Sequence, residues 1–120
     1  MIDGIDHVLL TGPPGCEPEA RLFYGDVLGL AELRKPHSLA GRGGCWFAAG
    51  TQQLHIGIEE PFSPARKAHP ALATRSIEEV ASALESAGHS LRWDEALDGD
   101  RFYVDDPFGN RIEILEAGPD

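Results

Sequence analysis

Apolar and polar positions along the chain switch between two periods, and the switches occur in the same order twice. IDHVLLT near the start predicts a strand, and EPEARLFYGDVLGL then sets Ala20, Phe23, Tyr24, Val27 and Leu28 at helical spacing. Pro18 suits the first helical turn and Gly29 the exit. Three strands are predicted next, a short one around LAELRK, then GCWFAAG and QQLHIGIE, separated by glycine-containing turns. After the connector PFSPARKA, HPALAT begins a second round as a strand. SIEEVASALESAGH follows as a helix with Ser76 and Glu79 as a capping box, an apolar stripe of Ile77, Val80, Ala81, Leu84 and Ala87, and Gly88 at its end. HSLRWDE, DRFYVDD and GNRIEILE complete it, the last two joined by the turn DPFG.

One supersecondary unit, strand, helix and three strands, is therefore used twice. His69 lies 62 residues after His7, and Glu113 lies 58 residues after His55, so each pair occupies equivalent module positions. Side chains alternate along a strand, which sends Leu54, Ile56 and Ile58 to one face and His55 and Gly57 to the other. The same parity separates Ile112 and Ile114 from Glu113. The apolar faces are the ones a helix can cover, so His55 and Glu113 point away from the helices.

Composition sets bounds on partners. A chain of 120 residues with 42% hydrophobic residues is enough for one compact domain with its own core. Asp and Glu number twenty against ten Lys and Arg, which argues against nucleic acid and anionic membranes and leaves cations and small molecules open. No leader-like or bilayer-length apolar run is present, so a cytoplasmic protein is the expectation. Cys16 and Cys45 form no CxxC pair and are expected as reduced thiols without a catalytic role.

Each module thus brings one titratable residue on its first strand and one on its last. If two such sheets curve together, His7, His55, His69 and Glu113 converge. Three imidazoles and a carboxylate suit a divalent transition metal such as Zn, Ni, Co, Mn or Fe(II), with coordination positions left for water or substrate. The competing reading has three hydrogen-bonded strand histidines and a solvated glutamate, and spacing alone leaves both open.

The segments IDHVLL, ARLFYGDVLGL, LHIGIE, HPAL and FYVDDPFGNRIEILE resemble the vicinal oxygen chelate superfamily. That superfamily includes glyoxalase I, methylmalonyl-CoA epimerase, extradiol dioxygenases, and the fosfomycin- and bleomycin-resistance proteins. The resemblance implies an α+β fold in which two βαβββ modules form a cupped mixed sheet around a metal. It places His7, His69 and Glu113 at ligand positions, and His55 where glyoxalase I has a second glutamate and the epimerase a glutamine. It implies a small metal-dependent lyase, isomerase or oxygenase acting on adjacent oxygens of a small substrate. Glu113 is then the base, with His55 as its partner, while His7, His69 and Glu113 alone would satisfy a dioxygenase-like triad. The alternative within the same superfamily is a metal-free, drug-sequestering protein of the bleomycin-resistance type, which the acidic balance favours and the ligand set disfavours.

Arg111 shares parity with Glu113 and, with Arg92, is a candidate to hold a substrate anion. Of Trp46, Phe47, Phe102 and Tyr103, those on the cupped face would form a pocket wall. His37 and His89 are expected at the surface, and the run Asp94 to Asp100 as a solvated loop. A single glyoxalase-like domain over residues 1–120 is expected, with modules at about 1–60 and 68–117, assembled as a homodimer whose sites form within one chain or by exchange of modules.

Overall fold

The computed structural model describes residues 1–96 and 100–118, so part of the loop predicted between Asp94 and Asp100 lies outside the described residues. The chain forms two compact units, Met1–Ser63 and Pro64–Asp120. In the first, β1 (His7–Gly12) is followed by α1 (Glu17–Ala20), which continues as a π-helical stretch over Arg21–Val27. β2 (Ala31–Leu33), a 3-10 turn (His37–Arg42), β3 (Cys45–Ala49) and β4 (Gln52–Ile58) complete it. The sheet order is β1-β4-β3-β2, with β1 parallel to β4 and the other pairs antiparallel.

The second unit repeats the plan with β5 (Ala71–Thr74), α2 (Ile77–Ser86), β6 (Arg92–Trp93), β7 (Arg101–Asp105) and β8 (Arg111–Glu116). Its order is β5-β8-β7-β6, with β5 parallel to β8. Two βαβββ-like modules, each a four-stranded mixed sheet, are thus present.

Alternation sorts the residues as the pattern requires. In the first unit Phe23, Tyr24, Phe47, Leu54 and Ile56 are buried, with the Tyr24 ring centroid 5.8 Å from that of Phe47. In the second, Ile77, Ala81 and Leu84 of α2 are buried along with Phe102, Val104, Ile112 and Ile114. Cys16 and Cys45 are buried, and burial pushes the Cys45 thiol up to about 11, which suppresses the nucleophilic thiolate near neutral pH.

Two local expectations need correction. Ser76 is the N-cap of α2, but its side chain makes no capping hydrogen bond. Instead Ser76 N–H donates to Thr74 Oγ1 (3.0 Å), and Ile77 N–H donates to Glu116 Oε2 of β8 (2.9 Å). A carboxylate from across the unit takes the place of the capping box, where the helix dipole also favours negative charge. The second correction concerns His69, which precedes β5 rather than lying in it. Pro70 lacks an N–H and cannot donate to the ladder, although its carbonyl accepts from Glu113 N–H at 3.0 Å.

Candidate functional site

In the first unit, the parallel pairing of β1 with β4 sets His7 opposite Gln53 and Leu9 opposite His55, and antiparallel β3 sets Trp46 opposite His55. These side chains share the sheet face turned away from the helix. Trp46 stacks on His55 with ring centroids 3.9 Å apart and planes 2° from parallel. His7 also stacks on His55, at 4.2 Å and 15°. His55 is only 4% exposed, and its Nε2 lies 2.9 Å from Gln53 Oε1. Burial, and then the neighbouring His7, hold its pKa below the usual imidazole value, with Asp6 opposing them. His55 is therefore a neutral, oriented imidazole at pH 7.

His7 is more exposed, and its Nδ1 lies 2.9 Å from Asp6 Oδ1. An ionised carboxylate only accepts, so Nδ1 carries the proton and a neutral His7 keeps its lone pair on Nε2. The histidine face and the segment from Lys35 to Gly43 border a concavity of about 600 Å³.

In the second unit, Ala71 pairs with Glu113, which brings His69 over the carboxylate. His69 Nε2 is 2.9 Å from Glu113 Oε1, and Arg101 Nη1 donates to Glu113 Oε2 at 2.7 Å. Glu113 is 7% exposed, so a buried carboxylate is held by two basic side chains. His69 Nδ1 lies 2.7 Å from the Lys67 carbonyl oxygen, which can only accept, so Nδ1 is the protonated nitrogen. A neutral His69 then aims an Nε2 lone pair at a carboxylate oxygen. One proton, on the imidazole or on the carboxyl, turns these opposed lone pairs into the 2.9 Å hydrogen bond found. The donor set of this pair fits a divalent ion.

The sequence-predicted site residues therefore fall into two pairs, His7 with His55 and His69 with Glu113. Among the described residues no group of three or more His, Cys, Asp or Glu is gathered to hold an ion. Arg111 lies over the Tyr103 ring, 5.8 Å from its centroid, and Arg92 donates to Asp105 Oδ1 at 3.0 Å. Both arginines share the Glu113 face, since Arg92 pairs with Tyr103 and Tyr103 with Glu113.

Three residues were missed by the sequence reading. Arg101 was recoverable from the turn, because pairing Asp105 with Arg111 fixes Tyr103 opposite Glu113 and puts Arg101 one diagonal away on the same face. Asp6, next to a candidate ligand, carried a weaker signal. Gln53 shares parity with His55, but nothing in the sequence marked it as the partner.

A sequence profile of the Glyoxalase/Bleomycin resistance protein/Dioxygenase superfamily matches residues 4–114. The chain belongs to that superfamily. A glyoxalase family protein from Bacillus anthracis is 50% identical, with 98% of each chain covered and a TM-score of 0.93. Vicinal oxygen chelate folds of lower identity also match. A lactoylglutathione lyase from Agrobacterium tumefaciens is 19% identical, covering 97% of this chain and 95% of its own, with a TM-score of 0.75. A genomically encoded fosfomycin resistance protein from Listeria monocytogenes is 14% identical, covering 98% and 96%, with a TM-score of 0.79. The last two speak to fold alone. No curated protein matches the sequence. No helix among the described residues is long and apolar enough to cross a membrane.

Proposed function

We propose that this superfamily member is a divalent-metal-dependent enzyme acting on a small substrate with adjacent oxygens, as a lyase, isomerase or oxygenase. The observation that carries this reading is the His69–Glu113 pair, in which Lys67 fixes the proton on Nδ1 and leaves Nε2 facing a carboxylate oxygen at 2.9 Å. His7, His55, His69 and Glu113 are the proposed ligands, two from each unit, supplied by one chain or by two chains of a homodimer. A bound ion there, of the Zn, Ni, Co, Mn or Fe(II) class, supplies Lewis acidity toward the substrate oxygens.

The chain's own residues do the rest. Glu113 is the proposed base, with Arg101 occupying Oε2 so that Oε1 is the oxygen available to a proton or an ion. His55, stacked between Trp46 and His7, is a rigid neutral acceptor beside it in role. Arg111 and Arg92 are proposed to meet the substrate on the second unit's polar face.

Metal analysis of the purified protein tests the reading, with His7→Ala and Glu113→Ala as comparisons. About one ion per site, lost in both variants, is expected. Protein that neither retains nor takes up a divalent ion would overturn it. The net charge of −10 favours a second reading, sequestration of a cationic ligand without metal. That reading predicts that a cationic drug raises the melting temperature of chelator-treated protein while added metal does not.

A further inference from the structure

The concavity of the first unit is more basic than the chain around it. Acidic residues outnumber basic ones two to one overall, yet Lys35 and Arg42 line this space against a single carboxylate, Asp6. Asp6 is already bonded to His7 through Oδ1. Three other cations are paired with carboxylates: Arg21 with Glu32, Arg92 with Asp105 and Arg101 with Glu113. Among the described residues, no carboxylate lies in ion-pair range of Lys35 or Arg42.

The wall that carries them is built rather than loose. Lys35 Nζ donates to the Gly43 carbonyl, closing the 3-10 turn His37–Arg42 from its start to its end. Gly44 N–H donates to Glu17 Oε2 at 3.0 Å. Gly44 has φ of +81°, and a Cβ there would meet Ile56 O at 2.1 Å, so its backbone lies flush against β4. Arg42 is thereby held two residues from an anchored point. Lys35 uses one of its three N–H donors on Gly43 and has two to offer a ligand. Glu17 acts on Lys35 electrostatically, but its Oε2 is already taken by Gly44 N–H, so the ammonium has no directly paired carboxylate.

We infer that Lys35 and Arg42 form an anion subsite in this concavity, so that its ligand is a small molecule with a carboxylate or phosphate-type group. The inference rests on the reading of this concavity as a substrate site and does not depend on metal. A volume of about 600 Å³ with Leu9 and Leu39 in its lining suits a small organic anion. Arg92 and Arg111 belong to the second unit and do not line this concavity.

The test uses chelator-treated full-length protein, titrated with inorganic phosphate and separately with acetate at constant ionic strength, and followed by amide NMR. At least one anion should bind more tightly than chloride and shift the Gly43 and Gly44 amides, and which one binds identifies the group. Arg42→Gln should weaken binding about tenfold or more, the size of a lost charge-assisted hydrogen bond. Lys35→Gln should do the same, and Arg66→Gln, an exposed cation of the other unit, should leave it unchanged. Arg42 is exposed and, among the described residues, makes no hydrogen bond or ion pair, so its variant tests charge without removing a bond of the turn. Anions that bind no better than chloride, or equally well to Arg42→Gln, would overturn the inference. Phosphate or acetate binding together with a negative metal analysis would remove the metalloenzyme reading and leave the subsite standing.

Discussion

His69 Nε2 and Glu113 Oε1 lie 2.9 Å apart, and the second oxygen of the same carboxylate accepts from Arg101 at 2.7 Å. This relationship explains how Glu113 sits 7% exposed between Ile112 and Ile114. Parity turns it away from the isoleucine face, and two basic side chains answer its charge. Removing the carboxylate leaves a largely buried guanidinium and an imidazole facing an empty position. Glu113→Ala is therefore expected to destabilise the protein by roughly 2–4 kcal/mol, somewhat below a fully buried ion pair because Arg101 is partly exposed. Chemical denaturation measures this, and a loss below about 1 kcal/mol would show that the ion pair is not an important part of the fold.

Arg101 acts on Glu113 from outside the proposed ligand set. It fixes one carboxylate oxygen and so aims the other at His69. Partners of this kind typically alter metal affinity by about ten- to a hundredfold when removed. Arg101→Met should lower affinity for a divalent ion by about tenfold in a competition with a chromophoric chelator. An unchanged affinity in a folded variant would reduce the pair to a packing role.

Most of the framework was legible because its determinants are local and periodic. Alternation in QLHIGIE and RIEIL assigned His55 and Glu113 to the face away from the helices, and the pairing registers agree. Pro70 shortened the strand expected to begin at His69, a signal present in the sequence but outweighed by the repeat. What escaped depends on side chains meeting across strands. Trp46 over His55, and Glu116 in place of the Ser76 capping box, require a register and a rotamer that no period contains. The same holds for Lys35 and Arg42, whose place beside the histidine face follows from the Gly43–Gly44 anchor.

That anchor has a pH signature. Glu17 accepts from Gly44 N–H, and this hydrogen bond holds its carboxyl below the usual carboxylate range, with Arg21 and Lys35 contributing and burial opposing. A depressed folded-state pKa means that the unfolded chain binds more protons at mildly acidic pH. The contribution is complete above the ordinary glutamate pKa of about 4.3 and is lost as pH falls through the lower folded value. Glu17→Gln should flatten the decline of melting temperature in that acid window while changing its course near pH 7 little. An unchanged acid slope would mean that the Glu17–Gly44 bond contributes nothing in solution.

The turn DPFGN places another carboxylate in the interior, and here the chain closes on itself. Asp106, 4% exposed, accepts at Oδ1 from the N–H groups of Phe108 (2.9 Å) and Asn110 (2.8 Å), and at Oδ2 from Asn110 Nδ2 (2.9 Å). Asp106 N–H in turn donates to the Asn110 carbonyl at 2.8 Å, and Gly109 supplies the positive φ of +94°. These bonds fix the β7–β8 register, and with it Arg101 and Tyr103 beside Glu113. Asp106→Ala removes at least these three hydrogen bonds to a buried carboxylate, with an expected loss of roughly 2–4 kcal/mol on denaturation. Because the turn sets the register, the loss should reach the site: metal affinity should fall in Asp106→Ala even under conditions where the variant is fully folded. Asp106→Asn keeps the shape and one acceptor oxygen, and it should recover part of both. Equal stability for Asp106→Ala and the parent would show that the turn is held by backbone geometry alone.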